Sequence, residues 1–230
     1  MQIRTKLTLQ FIILVAGILL TTVLLGQGLL AGLVLLLAAV SWFDDRGHVP
    51  ILVRLGVQFL AIIVWVVVQV PEAWLLAVAA VFALVWMANL YNFMDGADGL
   101  AGGMAVHGFG AYGLAAWLTG DGALTLLASS VVAAALGFLC FNFPSARVFM
   151  GDAGSVPLGF LAGGIGLTGW LQQAWPIWFP LLVFSPFVVD ASATLLKRLL
   201  RRERFWQAHH DHYYQRLVRM GWSHRRLALV

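Results

Sequence analysis

Long apolar runs separated by short polar segments dominate the hydropathy pattern of the chain. A transmembrane helix needs roughly 20 consecutive apolar residues, and eight stretches approach that length. They cover approximately residues 7–25, 28–43, 51–70, 73–91, 101–119, 123–141, 156–171 and 176–196. The pattern therefore predicts an all-α, polytopic membrane protein with about eight transmembrane helices, built as a single domain over residues 1–230.

Composition and charge support this class and suggest an orientation. The chain is 61% hydrophobic and only 10% charged, whereas soluble domains carry about 25% charged residues. When the spans are threaded alternately through a bilayer, all 14 Lys and Arg residues fall on one side. The positive-inside rule then places both termini in the cytoplasm. The net charge of +4 is explained by this excess of Lys and Arg in the cytoplasmic loops, together with their attraction to anionic lipid headgroups. Nucleic acid is not an expected partner.

Acidic residues collect at the cytoplasmic ends of the predicted spans. Five of the ten are Asp44, Asp45, Asp95, Asp98 and Asp152. Carboxylates crowded at a membrane surface repel one another, and a bound cation is the simplest relief. Oxygen ligands without a His/Cys pair favour Mg²⁺ or Mn²⁺, and Mg²⁺ usually binds through one or two carboxylates plus substrate phosphates. The pattern therefore predicts a phosphate-bearing substrate.

Two motifs add polar groups to this face. Residues 89–100 read Asn-Leu-Tyr-Asn-Phe-Met-Asp-Gly-Ala-Asp-Gly-Leu, with Asn89, Asn92 and Asp95 at three-residue spacing and Asp98 one step further. That spacing predicts one helical face. In residues 141–155, a proline ends one helix, and the turn at 151–155 precedes the next span. A helix that begins at such a turn suits an anion such as diphosphate.

The histidines fall into two groups. His209 and His212 lie one helical turn apart in a basic C-terminal segment, and they could present two imidazoles to one anion or metal. We interpret His48, His107 and His224 as incidental.

Asp190 differs from the other acids because it falls inside the last predicted span. An acid there is costly and is usually paired. Lys197 and Arg198 lie two turns further along and are candidate partners.

Taken together, four motifs carry a family resemblance. The motifs follow one another along the chain in a fixed order. They are the adjacent acids Asp44 and Asp45, the Asn-rich run at 89–100, the sequence Phe-Met-Gly-Asp-Ala-Gly-Ser at 149–155 and the His-rich run at 209–216. In order and approximate spacing they resemble the polyprenyl-phosphate N-acetylhexosamine-1-phosphate transferases, of glycosyltransferase family 4 type. The resemblance covers roughly residues 40 to 216. The residues of these motifs resemble the branch that initiates O-antigen and lipopolysaccharide synthesis more than they resemble the peptidoglycan branch.

The resemblance implies transfer of a sugar 1-phosphate from a UDP-N-acetylamino sugar to undecaprenyl phosphate, with release of UMP. It implies Mg²⁺, or Mn²⁺ in its place, held mainly by Asp152, and Asp44 as the residue that orients or deprotonates the lipid phosphate. The implied catalytic residues are Asp44, Asp45, Asp95 and Asp98. The implied substrate-binding residues are Asn89, Asn92, His209, His212, Arg147 and Ser155. A bacterial inner-membrane location with a cytoplasmic active face follows, and a homodimer is compatible with it.

The chain also departs from the family pattern. Only about 43 residues precede Asp44 and 18 follow His212, so the sequence is expected to be truncated at both ends. This leaves a second hypothesis, a catalytically incomplete remnant or assembly partner. A third is a membrane transporter, which predicts charges along a central pathway, whereas most of the acids cluster at one surface.

Overall fold

The computed structural model describes residues 21–23, 25–203 and 211–229. Helices account for the regular structure, and no strand occurs in these ranges. The helices are α1 (Gly28–Asp44), α2 (Ile51–Gln69), α3 (Trp74–Phe93), α4 (Leu100–Thr119), α5 (Gly122–Asn142), α6 (Asp152–Leu171), α7 (Phe179–Val183), α8 (Ser185–Leu200), α9 (Tyr213–Arg219) and α10 (His224–Leu229).

Several of these helices have the length and apolar composition of membrane spans. Within the described residues, α2, α3, α5 and α6 meet both requirements, and α1 is apolar but has 17 residues. The predicted span at 7–25 lies almost entirely outside the described residues. The prediction of an all-α polytopic membrane protein is confirmed.

The prediction of one continuous span at 176–196 is wrong. The chain forms two helices there, α7 and α8, with Phe184 between them. Pro186 has no backbone N–H to donate to the carbonyl of Leu182, and its ring would clash with that carbonyl. A continuous helix across this point is therefore disfavoured, and α8 starts afresh with Pro186 near its N-terminus.

Helix α6 is the centre of the bundle. In its most apolar stretch 78% of residues are buried, against 28% to 39% in the other three membrane-length helices. It packs mainly against α3 and α1, and it also contacts α2, α4, α5 and α7. Because α6 begins at Asp152, the central helix delivers that acid directly to one end of the bundle.

The contact between α3 and α6 depends on Gly159. A methyl group at this position would lie 2.6 Å from both the Ala88 Cα and the Met87 carbonyl oxygen. Backbone atoms cannot rotate away, so we expect Gly159→Ala to destabilise the protein by about 1–3 kcal/mol, as overpacking of a core does. Gly56→Ala is the matched control, because no atom lies within 4 Å of the added methyl group there.

The measurement is the apparent Tm of both variants in one detergent. We expect Gly159→Ala to melt lower and Gly56→Ala to melt at or above the wild-type temperature, since alanine is the better helix former. Equal melting temperatures for the two variants would contradict the close approach of α3 and α6.

Candidate active site

Four helix ends meet where the acids collect. Helix α1 ends at Asp44, α3 ends two residues before Asp95, and α6 begins at Asp152. Helix α2 begins beside them, because Arg54 in its first turn reaches both Asp44 and Asp152. The alternating direction of the helices thus brings together acids that are far apart in sequence.

Arg54 is the central cation of this end of the bundle. Its Nη1 atom pairs with Asp44 Oδ2 and lies 3.0 Å from Asp152 Oδ2. The Asp44 Oδ1 atom accepts a hydrogen bond from the Val49 N–H at 2.9 Å. The guanidinium therefore offsets the charge of two carboxylates that would otherwise repel each other.

Asp45 caps the central helix. Its oxygens accept hydrogen bonds from the backbone N–H groups of Asp152, at 3.2 Å, and Ala153, at 3.1 Å. Gly151 stands just before the helix at φ 64°, and a Cβ atom there would lie 2.7 Å from Asp45 Oδ2. The sequence predicted that this N-terminus would suit an anionic ligand; in the structure it receives a carboxylate of the chain itself.

Burial and mutual repulsion shape the electrostatics of the acids. Removal from water raises the pKa of Asp45, and the neighbouring charge of Asp44 raises it further, while the two backbone hydrogen bonds act in the opposite direction. Enclosure raises the pKa of Asp95 well above its ordinary value, and the charge of Asp152 adds to this effect. A raised pKa means that the ionised carboxylate is less stable here than in water. A cation close to these carboxylates would stabilise their ionised form.

Asn92 and Ser155 connect α3 to α6 beside Asp152. The buried Ser155 hydroxyl is 2.8 Å from Asn92 Oδ1 and 3.0 Å from the Gly151 carbonyl oxygen. One helical turn deeper, Asn89 donates to Gln58 Oε1 at 2.7 Å. These amides and the hydroxyl thus hold the two helices at a fixed register around the acid.

Asp98 lies in different surroundings. Helix α3 ends at Phe93, so Asp95 and Asp98 do not continue the helical face of Asn89 and Asn92, contrary to the spacing argument. Asp98 Oδ2 accepts from the Ala146 N–H at 3.1 Å, and Asp98 Oδ1 is 3.4 Å from His224 Nδ1. Its described bonds hold the 143–147 segment and α10 in place.

Two further predicted residues contribute no described side-chain contact to the acids. Arg147 is exposed, and its described hydrogen bond is the one from its backbone N–H to the Phe141 carbonyl. His209 lies outside the described residues. The catalytic or substrate-binding roles of all the sequence-predicted site residues stay predictions.

A cavity of about 560 Å³ opens beside Arg54 and Asp152. Its wall is mostly apolar, and it is bounded by α1, α2, α3, α6, α8 and α9. Its polar lining residues are Ser41, Arg54, Gln58, Asn89, Asn92, Asp152, His212 and Gln215. Phe82, which also lines it, is 61% exposed on the outer surface of the bundle. The cavity therefore combines a polar end near the acids with apolar walls that reach the lipid-facing side.

His212 is buried and belongs to this lining. Its Nδ1 atom lies 3.2 Å from Asp190 Oδ1. The prediction that Lys197 or Arg198 pairs with Asp190 is therefore wrong. Arg198 contacts Glu203 and Asp211, and Lys197 contacts the Tyr213 hydroxyl. The backbone after residue 211 folds back onto α8 and brings His212 closer to Asp190 than either cation.

Sequence reasoning missed three residues of this region. Arg54 was counted only toward topology, Gln58 was not considered, and His224 was interpreted as incidental although it contacts Asp98. A signal for the first two existed. Arg54 and Gln58 stand four residues apart in an otherwise apolar predicted span, so they share one helical face.

The donor set at this end of the bundle fits a hard divalent cation. Asp152 contributes a carboxylate, Asn92 an amide oxygen and Ser155 a hydroxyl at this end of the bundle, and no thiolate or imidazole is among the described contacts of Asp152. In the described ranges, no group of three or more His, Cys, Asp or Glu residues is close enough to hold a metal ion. Mg²⁺ usually binds through one or two carboxylates, with substrate phosphates and water as its other ligands, so a single acid such as Asp152 is chemically compatible with it.

The fold and site define a polytopic membrane protein with an acidic, oxygen-rich site at one end of its helical bundle. The family model described as glycosyl transferase family 4 matches residues 27–169. This range includes α1 to α5, all but the last two residues of α6, and both carboxylates that Arg54 contacts. The chain therefore belongs to glycosyl transferase family 4.

Individual relatives agree with this assignment. A probable undecaprenyl-phosphate N-acetylglucosaminyl 1-phosphate transferase of Bacillus subtilis is 31% identical over 68% of this chain and 44% of its own length. A phospho-N-acetylmuramoyl-pentapeptide-transferase of Geobacillus kaustophilus is 32% identical over 90% and 58%, respectively. An Enterococcus faecalis protein of the same name is 30% identical over 71% and 50%.

The alignments thus cover most of this chain but only part of each relative. The chain spans about half the length of the curated relatives it matches. The resemblance to polyprenyl-phosphate N-acetylhexosamine-1-phosphate transferases is confirmed. The preference for the lipopolysaccharide branch stays a prediction, since these relatives carry other names.

Proposed function

We propose that this chain transfers an N-acetylamino-sugar 1-phosphate from a UDP-sugar to undecaprenyl phosphate and releases UMP. The observation that carries the proposal is the contact of Arg54 with both Asp44 and Asp152 at the polar end of the 560 Å³ cavity. Cations and oxygen donors beside an apolar cavity suit a substrate with a phosphate head and a hydrocarbon tail. The name of the Bacillus subtilis relative supports undecaprenyl phosphate as the acceptor, and both relatives' names support transfer of a phospho-N-acetylamino sugar.

The cavity supports lateral entry of the lipid. Ile51 and Phe82 line it and are 46% and 61% exposed on the bundle surface. The prenyl chain would lie along these apolar walls, since transfer of hydrocarbon from the bilayer to an apolar groove costs little. The phosphate would then point toward Arg54, Asn92 and Asp152 at the polar end.

The reaction forms one P–O bond and breaks another. An oxygen of the lipid phosphate attacks the phosphorus that carries the sugar, and the oxygen that bridges to the nucleoside phosphate leaves with UMP. Two anions must approach each other, so charge must be offset where it develops. Arg54 would do this for the phosphates, while Asp44 would orient the acceptor phosphate or accept its proton.

The metal belongs to the same proposal. Asp152 would hold Mg²⁺, with Asn92 and Asp95 beside it, and the ion would neutralise charge on the phosphates. His212, together with His209, would bind the diphosphate of the donor. Asp98 and Arg147 would contact the nucleotide-sugar from the adjoining segments, as the motif resemblance implies.

The cellular setting follows from the substrate. We place the chain in the bacterial cytoplasmic membrane with its acidic end toward the cytoplasm, where nucleotide sugars are made. The product would serve the first membrane step of a cell-surface polysaccharide, of which O-antigen is our specific expectation. A homodimer is compatible with this arrangement.

The test measures UMP release by the purified chain in detergent. The reaction contains undecaprenyl phosphate, Mg²⁺ and one donor from a panel that includes UDP-N-acetylglucosamine and UDP-N-acetylmuramoyl-pentapeptide. We expect release with at least one donor, and we expect it to need both the lipid and the metal. Omission of the lipid and addition of EDTA are the matched controls.

A negative result would be informative if the protein is shown to be folded. No UMP from any donor, with a single peak in size-exclusion chromatography and a cooperative melting curve, would reject catalysis by this chain. It would favour the second hypothesis, a non-catalytic member of the family.

A further inference from the structure

Asp190 is a buried acid that the proposed chemistry does not use. It lies in α8 with 7% of its surface exposed. Its Oδ1 atom accepts from the Tyr213 N–H at 2.9 Å, and its Oδ2 atom accepts from the Tyr214 N–H at 2.9 Å. The Thr194 hydroxyl, one turn along α8, lies 3.2 Å from Oδ1. One carboxylate thus holds two successive backbone amides at the start of α9.

The same carboxylate faces the ring of His212. The distance from Asp190 Oδ1 to His212 Nδ1 is 3.2 Å. A carboxylate that accepts two amide hydrogens is ionised and can only accept, so the Nδ1 atom must carry a proton. The bond therefore keeps a proton on Nδ1 and orients the ring of His212.

Aromatic neighbours hold the plane of the His212 ring. The Phe93 ring is stacked on one side, with centroids 6.1 Å apart and planes 29° apart. The Tyr214 ring is also stacked against it, with values of 5.9 Å and 23°. The carboxylate and the two rings together leave the imidazole little freedom to rotate or flip.

Tyr214 ties this arrangement to the acidic end of the bundle. Its hydroxyl donates to the Phe93 carbonyl at 3.2 Å. It also packs directly on Gly96, where an added Cβ atom would overlap the hydroxyl. Segment 211–219 is consequently attached both to α8, through Asp190, and to the loop that carries Asp95.

We propose that Asp190 is a positioning residue that accepts the Nδ1–H of His212 and holds the imidazole in one orientation against the cavity that contains Arg54 and Asp152. The inference rests on the proposed function where it concerns the rate, because His212 is there expected to bind the donor diphosphate. Outer partners of this kind change activity by about 10- to 100-fold when removed from metal-site histidines. Asp190 acts through His212 and does not contact the substrate.

A double-mutant cycle tests the effect on rate. We expect Asp190→Asn to lower kcat/KM for the UDP-sugar by about 10- to 100-fold while the KM for undecaprenyl phosphate stays within about twofold. In a His212→Ala background the same change should cost less than about threefold, because residues that act as a unit are not additive. Equal losses in both backgrounds would overturn the proposal and make Asp190 a purely structural residue.

Two further variants sharpen the cycle. Asp211→Asn removes another carboxylate of the same segment, one that pairs with Arg198, and should change the rate by less than about threefold. Asp190→Glu keeps the charge and should restore most of the rate. If Asp190→Asn does not fold, the cycle is run with Asp190→Glu, whose smaller loss should again vanish beside His212→Ala.

A spectroscopic measurement keeps the proposal testable even without turnover. Selective ¹⁵N labelling of histidine, with His212→Ala to assign the signal, reports which ring nitrogen is protonated. We expect a protonated Nδ1 in the wild-type chain and loss of that signature in Asp190→Asn. An unchanged signal would overturn the positioning role, whereas a chain that shows the signature but releases no UMP would reject only the proposed function.

Discussion

Asp152→Asn is expected to reduce UMP release by about 100- to 1,000-fold, the scale of losing several kcal/mol of transition-state stabilisation. Asp152 stands at the start of the central helix, with Arg54 Nη1 3.0 Å from its Oδ2 atom. Asparagine keeps the shape but removes the charge that would hold the metal. The kcat should fall with little change in the KM for the lipid.

The fold should survive this substitution. Asp45 and Asp44 both repel the charge of Asp152, so removal of that charge relieves crowding at the site. We therefore expect an apparent Tm equal to or above the wild-type value. Glu72→Gln serves as the control, because Glu72 is exposed in the turn between α2 and α3, at the other end of these helices. Wild-type rates of UMP release from Asp152→Asn would be incompatible with a metal held at this acid.

Arg54→Gln is expected to lower kcat/KM by about 100-fold, comparable to removal of one preorganised charge-stabilising group. The guanidinium pairs with both Asp44 and Asp152, and it lines the cavity where the phosphates are proposed to meet. Its loss leaves two neighbouring carboxylates without their shared cation. We expect a lower apparent Tm as well as a lower rate, unlike the result for Asp152→Asn.

Comparison with lysine separates charge from geometry. Arg54→Lys keeps a positive charge but cannot present a planar fork to two carboxylates, so an intermediate rate is expected. Arg225→Gln is the matched control, since it removes an exposed guanidinium in α10. Rates for Arg54→Gln within twofold of wild type, measured at saturating Mg²⁺, would show that Arg54 is not part of the reaction.

The hydropathy pattern predicted most of the bundle because burial in a bilayer demands long apolar runs. It predicted the helix that begins near residue 28 and those near 51, 73, 101 and 123 to within a few residues. The errors arose where local chemistry overrides hydropathy. Pro186 divides the final apolar run into α7 and α8, and Asp45 extends α6 back to Asp152, four residues before the predicted start.

The gathering of Asp44, Asp45, Asp95 and Asp152 was also accessible from the sequence. Each follows or begins a span, and alternating spans place such positions at one end of a bundle. The placement of Asp98 was not accessible, because periodicity alone did not reveal that α3 ends at Phe93 and that the loop turns through Gly99 at φ 77°. The Asp190 contacts join α8 to residues 212–214, more than 20 positions further along the chain, and no local pattern encodes such a pairing.

The bonds from Asp45 to the first amides of α6 alter how the paired acids should be compared among homologous chains. An acid at this position stabilises the start of the central helix, whatever the chain does with phosphates, and a cap of this kind is typically worth about 1 kcal/mol. In a lineage that had abandoned the reaction, Asp45 would still stabilise the central helix, whereas Asp44 and Arg54, which pair with each other, would be expected to change together. Retention of the second acid alone therefore carries little information about activity, and the covariation of Asp44 with Arg54 is the more diagnostic signature.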